Sequence, residues 1–240
     1  MKNYKEIIKQ NWDRIKKEIE MAMDRVGRTD FPSVLPVVKT FEDEAIFAIS
    51  REGFEVVGEN RVERVEEKLK VYQAAGLGVD IIGHLQSKKV KKLIRLLKDG
   101  LKLRFVHSLD RESLLNELIK RANSYRKEVK EFKWQVFLEL KTSFEETKHG
   151  ADEESLLALV ESLKGRDEVE IVGIMTMAPF VEDEDVIRAS FKKAADFRKR
   201  LEDKFGRKML LSAGMSSDFK IAVEEGSDLL RIGTAFIAGL

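Results

Sequence analysis

The feature that most constrains this chain is a repeated alternation. Eight short apolar runs, at 34–39, 55–57, 79–82, 103–106, 132–140, 169–174, 209–211 and 229–232, are each separated from the next by a helical stretch. Strands that alternate with helices pair in parallel, because a crossover helix returns the chain to the same end of the sheet. Eight such units predict an α/β protein, a (β/α)₈ TIM-type barrel, and 240 residues match the usual size of about 250. An open doubly wound sheet would carry a glycine-rich fingerprint after its first strand, and none follows residue 39. No linker-like tract interrupts the pattern, so residues 1–240 are expected to form a single domain.

One element falls outside the alternation. Ile8, Trp12, Ile15, Ile19, Ala22 and Val26 recur every three or four residues and form an apolar stripe on a helix, with Gly27 as its stop signal. Too few residues follow Ile232 for a full eighth helix. The extra N-terminal helix is therefore expected to cover the seam between the last strand and the first.

Composition narrows the function. Forty-four Lys and Arg nearly balance 43 Asp and Glu, which argues against nucleic acid as a partner. The charge content fits a surface of ion-pair networks. The absence of cysteine excludes disulfides and thiolate chemistry. His84, His107 and His149 have no spacing that suggests a metal cluster. The polar start lacks an apolar signal core, and no run is long enough to span a membrane. A cytoplasmic protein is expected.

Barrels of this kind place their chemistry at the carboxyl ends of the strands. The run Leu35-Pro36-Val37-Val38 ends in Lys39. Desolvation at a strand end disfavours the ammonium form and leaves an amine able to form a Schiff base with an aldehyde. After the seventh run, Gly214-Met215-Ser216-Ser217 combines glycine with hydroxyls at a helix start; Gly233-Thr234 does the same after the eighth. Such loops bring backbone N–H groups to a phosphate, or they simply turn and cap a helix. Arg231 ends an apolar strand and needs a partner, either a neighbouring carboxylate such as Glu59 or a ligand. Asn60 either bonds a ligand or caps the helix from Val62, and His84 is a structural hydrogen-bonder or a site residue. Ser108 and Asp110 supply N-cap chemistry, Lys88, Lys89, Lys91 and Lys92 form a solvated helix face, and Met175 and Met177 fill gaps in packing.

A strand-end lysine combined with phosphate loops seven and eight units along suits pyridoxal 5′-phosphate (PLP). The pieces Val38-Lys39-Thr40, Gly58-Glu59-Asn60-Arg61-Val62, Ile82-Gly83-His84-Leu85-Gln86-Ser87, Gly214-Met215-Ser216-Ser217-Asp218 and Arg231-Ile232-Gly233-Thr234-Ala235 run in one order along the chain. Thr147-Lys148-His149-Gly150 adds a weaker match. Together they resemble the PLP homeostasis protein family, PLP-binding barrels of fold type III. The resemblance implies a Schiff base on Lys39, phosphate held by Ser216 with the backbone of Gly233 and Thr234, Asn60 and His84 at the pocket, Met215 packed nearby, and Arg231 facing the pyridine nitrogen. An arginine there leaves the ring unprotonated and a weaker electron sink. Lys88 departs from the family's usual asparagine, and the ending after Ala235 differs from the usual one.

The resemblance implies a protein that carries PLP for vitamin B6 homeostasis without robust turnover and delivers it to apo PLP-dependent enzymes. The alternative is an amino-acid racemase of the alanine racemase-like barrel type, which needs a base on each face of the substrate carbanion. A Schiff-base aldolase acting on a phosphorylated sugar is a third reading.

Overall fold

The computed structural model describes residues 3–142 and 149–239. Eight strands, β1 (Ser33–Pro36), β2 (Val56–Glu59), β3 (Gly78–Ile81), β4 (Leu103–Leu109), β5 (Trp134–Glu139), β6 (Val169–Met175), β7 (Leu210–Ser212) and β8 (Leu229–Ile232), pair in parallel in the order β1-β8-β7-β6-β5-β4-β3-β2. The two ends of that order meet just beyond β1. Val37 donates its N–H to Ile232 O at 2.8 Å, and Val38 donates to Gly58 O at 3.0 Å. Val37 also bridges Gly58 in parallel. One dipeptide thus stitches β8 to β2 and closes the barrel, placing Lys39 immediately after the closure.

Around the strands lie α1 (Tyr4–Arg25), α2 (Asp43–Arg51), α3 (Val62–Ala75), α4 (Ser87–Lys98), α5 (Glu112–Tyr125), α6 (Glu153–Ser162), α7 (Glu184–Phe205) and α8 (Phe219–Glu224). The extra helix does what its stripe requires: α1 packs against α2, α8 and a short 3₁₀ turn, Thr234–Ile237. Its buried face includes Ile8, Ile15, Ile19 and Ala22, as expected, whereas Val26 is exposed. Asn11, which hydropathy passes over, is buried and donates to Phe236 O at 2.9 Å and Ala238 O at 3.0 Å. Trp12 joins Phe54 and Phe236 in an aromatic cluster with ring centroids 5.0 to 5.9 Å apart.

Strand pleating divides the core in two. On β5, Trp134, Val136 and Leu138 pack in the layer beneath the helices. Phe137 points the other way and meets Leu35, Met175 and Leu229 inside the barrel. Two residues further along each strand, the alternation brings Glu139 and Arg231 to the same interior, now at the carboxyl end.

The structure moves several boundaries. β4 continues through His107 and Ser108 to Leu109, because both polar side chains are bonded inside the fold. Ser108 therefore does not cap α5; its Oγ accepts from Leu85 N at 3.2 Å. Asp110 does not cap it either: the N-cap residue is Arg111, without a side-chain capping bond. The basic face of α4 is only partly solvated. Lys89 pairs with Glu63, Lys92 with Glu66 at 2.6 Å, and Arg95 also with Glu66, tying α4 to α3. Among the described residues, no helix is long and apolar enough to cross a membrane.

Candidate functional site

Four strands contribute to one buried polar chain across the barrel interior. Asp80 on β3 receives Arg104 Nε at 3.0 Å and Nη2 at 2.6 Å, and it faces His107 Nε2 at 3.2 Å. His107 Nδ1 lies 3.2 Å from Ser212 Oγ on β7. Arg231 Nη1 on β8 donates to that same Oγ at 2.7 Å, and its Nη2 donates to Thr176 O at 2.8 Å. Because Ser212 Oγ accepts from a guanidinium, its proton is free to point at His107 Nδ1. An ionised Asp80 only accepts, so in the neutral ring the proton is assigned to Nε2 and Nδ1 accepts from Ser212.

The electrostatics agree. Burial pushes the His107 imidazole below its ordinary value; the Asp80 bond and charge act to raise it, while the Arg231 and Arg104 charges act with burial. Burial acts to raise the Asp80 carboxyl, yet the bonds from His107 and Arg104 leave it below the usual carboxylate value. Arg231, 4% exposed, is pushed down to about 10 by burial. Its partners are a hydroxyl and a carbonyl rather than Glu59. That carboxylate is buried elsewhere and receives Tyr72 OH at 2.6 Å.

The loops after β7 and β8 form a second cluster. Gly214 has φ +90°, a conformation that favours glycine, and an added Cβ would lie 2.6 Å from Ala222 Cβ. Past that turn, Ser216 Oγ accepts from both Gly233 N and Ala235 N at 3.2 Å. Gly233 lies against the barrel closure, where a Cβ would come within 3.2 Å of Val37 O. The backbone of residues 233–235 is thus drawn to one serine oxygen, beside the segment that ends in Lys39. Thr234 is exposed on the same arc of rim. The α8 N-cap position belongs to Asp218, so neither Ser216 nor Ser217 occupies it. Met215 and Met177 line a cavity of about 200 Å³ with Phe180 and Ile187.

One expectation needs correction, and one of two open alternatives falls away. Lys39 is exposed, so the protein's own atoms do not desolvate it; it stands past Pro36, beyond the end of β1. Asn60 does not cap α3, whose N-cap is Arg61. Asn60 instead lines a cavity of about 220 Å³ with Arg61, His84, Gln86 and Lys89. Gly83 explains how Asn60 and His84 come together, since a Cβ on Gly83 would lie 2.2 Å from Asn60 O.

The ends of β3, β4 and β5 converge separately. His84 Nδ1 is 3.6 Å from Asp110 Oδ2, and its ring stacks on His149 with centroids 4.0 Å apart. Glu139, 3% exposed, is raised to about 7 by burial, with the Asp110 charge adding to the effect. Thr147 and Lys148 lie outside the described residues. Sequence reasoning missed Asp80 and Glu139 as interior groups and left His107 and Ser212 without a role. The available signal was an acid in the middle of an apolar strand, as in Val79-Asp80-Ile81 and Leu138-Glu139-Leu140.

The family model described as alanine racemase, N-terminal domain, matches residues 8–239. A pyridoxal phosphate homeostasis protein of Aquifex aeolicus is 34% identical over 223 residues, covering 92% of this chain and 93% of the relative. One from Vibrio cholerae is 31% identical over 233 residues, covering 95% and 94%. The solved structure of PipY from Synechococcus elongatus PCC7942, with PLP bound, superposes with a TM-score of 0.75 at 26% identity, covering 91% of this chain and 99% of that one. With a closed parallel barrel in place and near-full-length similarity at this level, the chain belongs to the pyridoxal phosphate homeostasis protein family, built on the alanine racemase N-terminal domain.

Proposed function

We propose that this protein binds PLP as a Schiff base on Lys39 and serves PLP homeostasis as a carrier, without robust catalytic turnover. The observation that carries the reading is the convergence on Ser216. Two backbone amides meet one oxygen there, on loops that abut the Val37–Val38 closure leading to Lys39. An oxygen that accepts from two amides keeps its own proton to donate, and a hydroxyl so placed suits an oxygen of a phosphate dianion. The glycine at 233 keeps the backbone bare where a side chain would crowd Val37.

The residues present fit the group. Ser216 with Gly233 and Thr234 would hold the phosphate, Lys39 would supply the amine, and Asn60, His84 and Met215 would border the pocket. PLP supplies an aldehyde and an electron-sink ring when bound. Arg231 is locked between Ser212 and Thr176 and keeps its charge, so it is a donor only and would leave the ring nitrogen unprotonated. That arrangement weakens the electron sink and favours holding the cofactor over catalysis. Exposure of Lys39 at the rim suits exchange with apo PLP-dependent enzymes in the cytoplasm.

Borohydride reduction followed by peptide mass mapping tests the assignment. A phosphopyridoxyl group on the Lys39 peptide is expected, and an adduct only on another lysine refutes it. Steady inversion of an amino acid by purified protein, lost in Lys39→Ala, would replace the carrier reading with a racemase.

A further inference from the structure

We propose that the carboxyl ends of β3, β4 and β5 form a binding site for a divalent first-row transition cation, with His84 Nδ1, Asp110 and Glu139 as its protein ligands. One donor atom from each lies within 4.8 Å of the others. An ion held about 2.1 Å from each ligand needs donors no more than roughly 4.2 Å apart, a closure of about half an ångström.

Two of the three residues hold a buried polar atom without a hydrogen bond among the described residues. Glu139 is 3% exposed, and among the described residues its Oε2 takes no hydrogen bond. His84 Nδ1 is likewise buried without a hydrogen-bond partner, 3.6 Å from Asp110 Oδ2. A buried carboxylate oxygen left unpaired is costly, and a cation relieves it.

The rest of each ligand is held by something else, as the outer partners of a metal site commonly do. Arg111 Nη1 binds Asp110 Oδ1 at 2.5 Å, which leaves Oδ2 turned toward His84. Arg111 Nη2 is committed to Leu85 O at 2.6 Å, and Arg231 to Ser212 and Thr176, so neither guanidinium fills the gap. The His84 ring plane is set by stacking on His149. The backbone of Glu139 is pinned where its carbonyl accepts Ala151 N at 3.0 Å. One imidazole and two carboxylates suit zinc or manganese better than the all-oxygen shell of magnesium or calcium.

Equilibrium dialysis of metal-stripped protein against Zn²⁺ and Mn²⁺, with bound metal counted, tests the site. One ion per chain is expected for at least one of the two metals. Glu139→Gln and Asp110→Asn should each weaken binding by about tenfold or more. Glu63→Gln, a surface carboxylate paired with Lys89, should leave it unchanged. The same stoichiometry is expected in Lys39→Ala, which separates this site from any metal held by the cofactor. Binding of neither metal overturns the proposal. So does binding that survives either ligand substitution, or that disappears in Lys39→Ala.

Discussion

His107 and Arg231 are joined through one oxygen: Ser212 Oγ receives Arg231 Nη1 at 2.7 Å and lies 3.2 Å from His107 Nδ1. The two residues come from β4 and β8, so the link spans the barrel interior. It ties a cation at the eighth strand to the Asp80–Arg104 pair at the third and fourth.

Ser212→Ala removes the shared oxygen and leaves a guanidinium N–H and an imidazole nitrogen buried without partners. A loss of about 1–3 kcal/mol is expected from the desolvation of unpaired groups. Urea unfolding of the variant measures it, and an unchanged midpoint would mean that the chain does not stabilise the barrel.

The same chain gives a pH dependence with a definite sign. Burial lowers the His107 imidazole, and the His107 and Arg104 bonds hold Asp80 low against its burial. For both groups the unfolded chain binds the proton more readily than the native one. Their contributions are complete above the unfolded values, about 6.5 and 3.9. They are lost as pH falls, first that of His107 and then that of Asp80, at up to roughly 1.4 kcal/mol per pH unit for each group. Urea midpoints followed from pH 7 to pH 5 should fall in the parent protein and fall less steeply in His107→Gln.

Gly83→Ala is a steric prediction. The new Cβ would lie 2.2 Å from Asn60 O and 2.9 Å from Asn60 Cα, both parts of the backbone. Neither can swing aside as a side-chain tip would, so β2 and β3 must separate locally. Overpacking of this sort costs about 1–3 kcal/mol. The substitution should also reduce PLP loading, read from the cofactor's absorbance, because Asn60 and His84 flank the contact.

Ser216→Ala separates binding from folding. Ser216 is half-buried, so water can replace its hydroxyl at the amides of Gly233 and Ala235, and thermal unfolding should shift little. A hydrogen bond to a charged phosphate is worth about 1.5–3 kcal/mol, so PLP affinity should fall by roughly ten- to a hundredfold. A spectrophotometric titration with PLP decides the matter, and undiminished affinity would remove Ser216 from the phosphate site.

Local pattern determined much of this protein. Apolar runs alternating with amphipathic stretches specified the strands, the helices and the barrel they close into, because hydrophobic periodicity is a property of neighbouring residues. The order of Lys39, Gly214-Met215-Ser216 and Gly233-Thr234 along that alternation placed them on one rim, since every parallel strand ends on the same face. Hydropathy stopped β4 at Val106 and passed over Asn11, because a polar side chain that finds partners inside the fold is invisible until those partners are located. Only the tertiary structure decided that Arg231 meets Ser212 and Thr176 rather than Glu59. Only it brought His84, Asp110 and Glu139 within 4.8 Å. Those residues are far apart in sequence, and the closure and stagger of the barrel, not any spacing along the chain, set their distances.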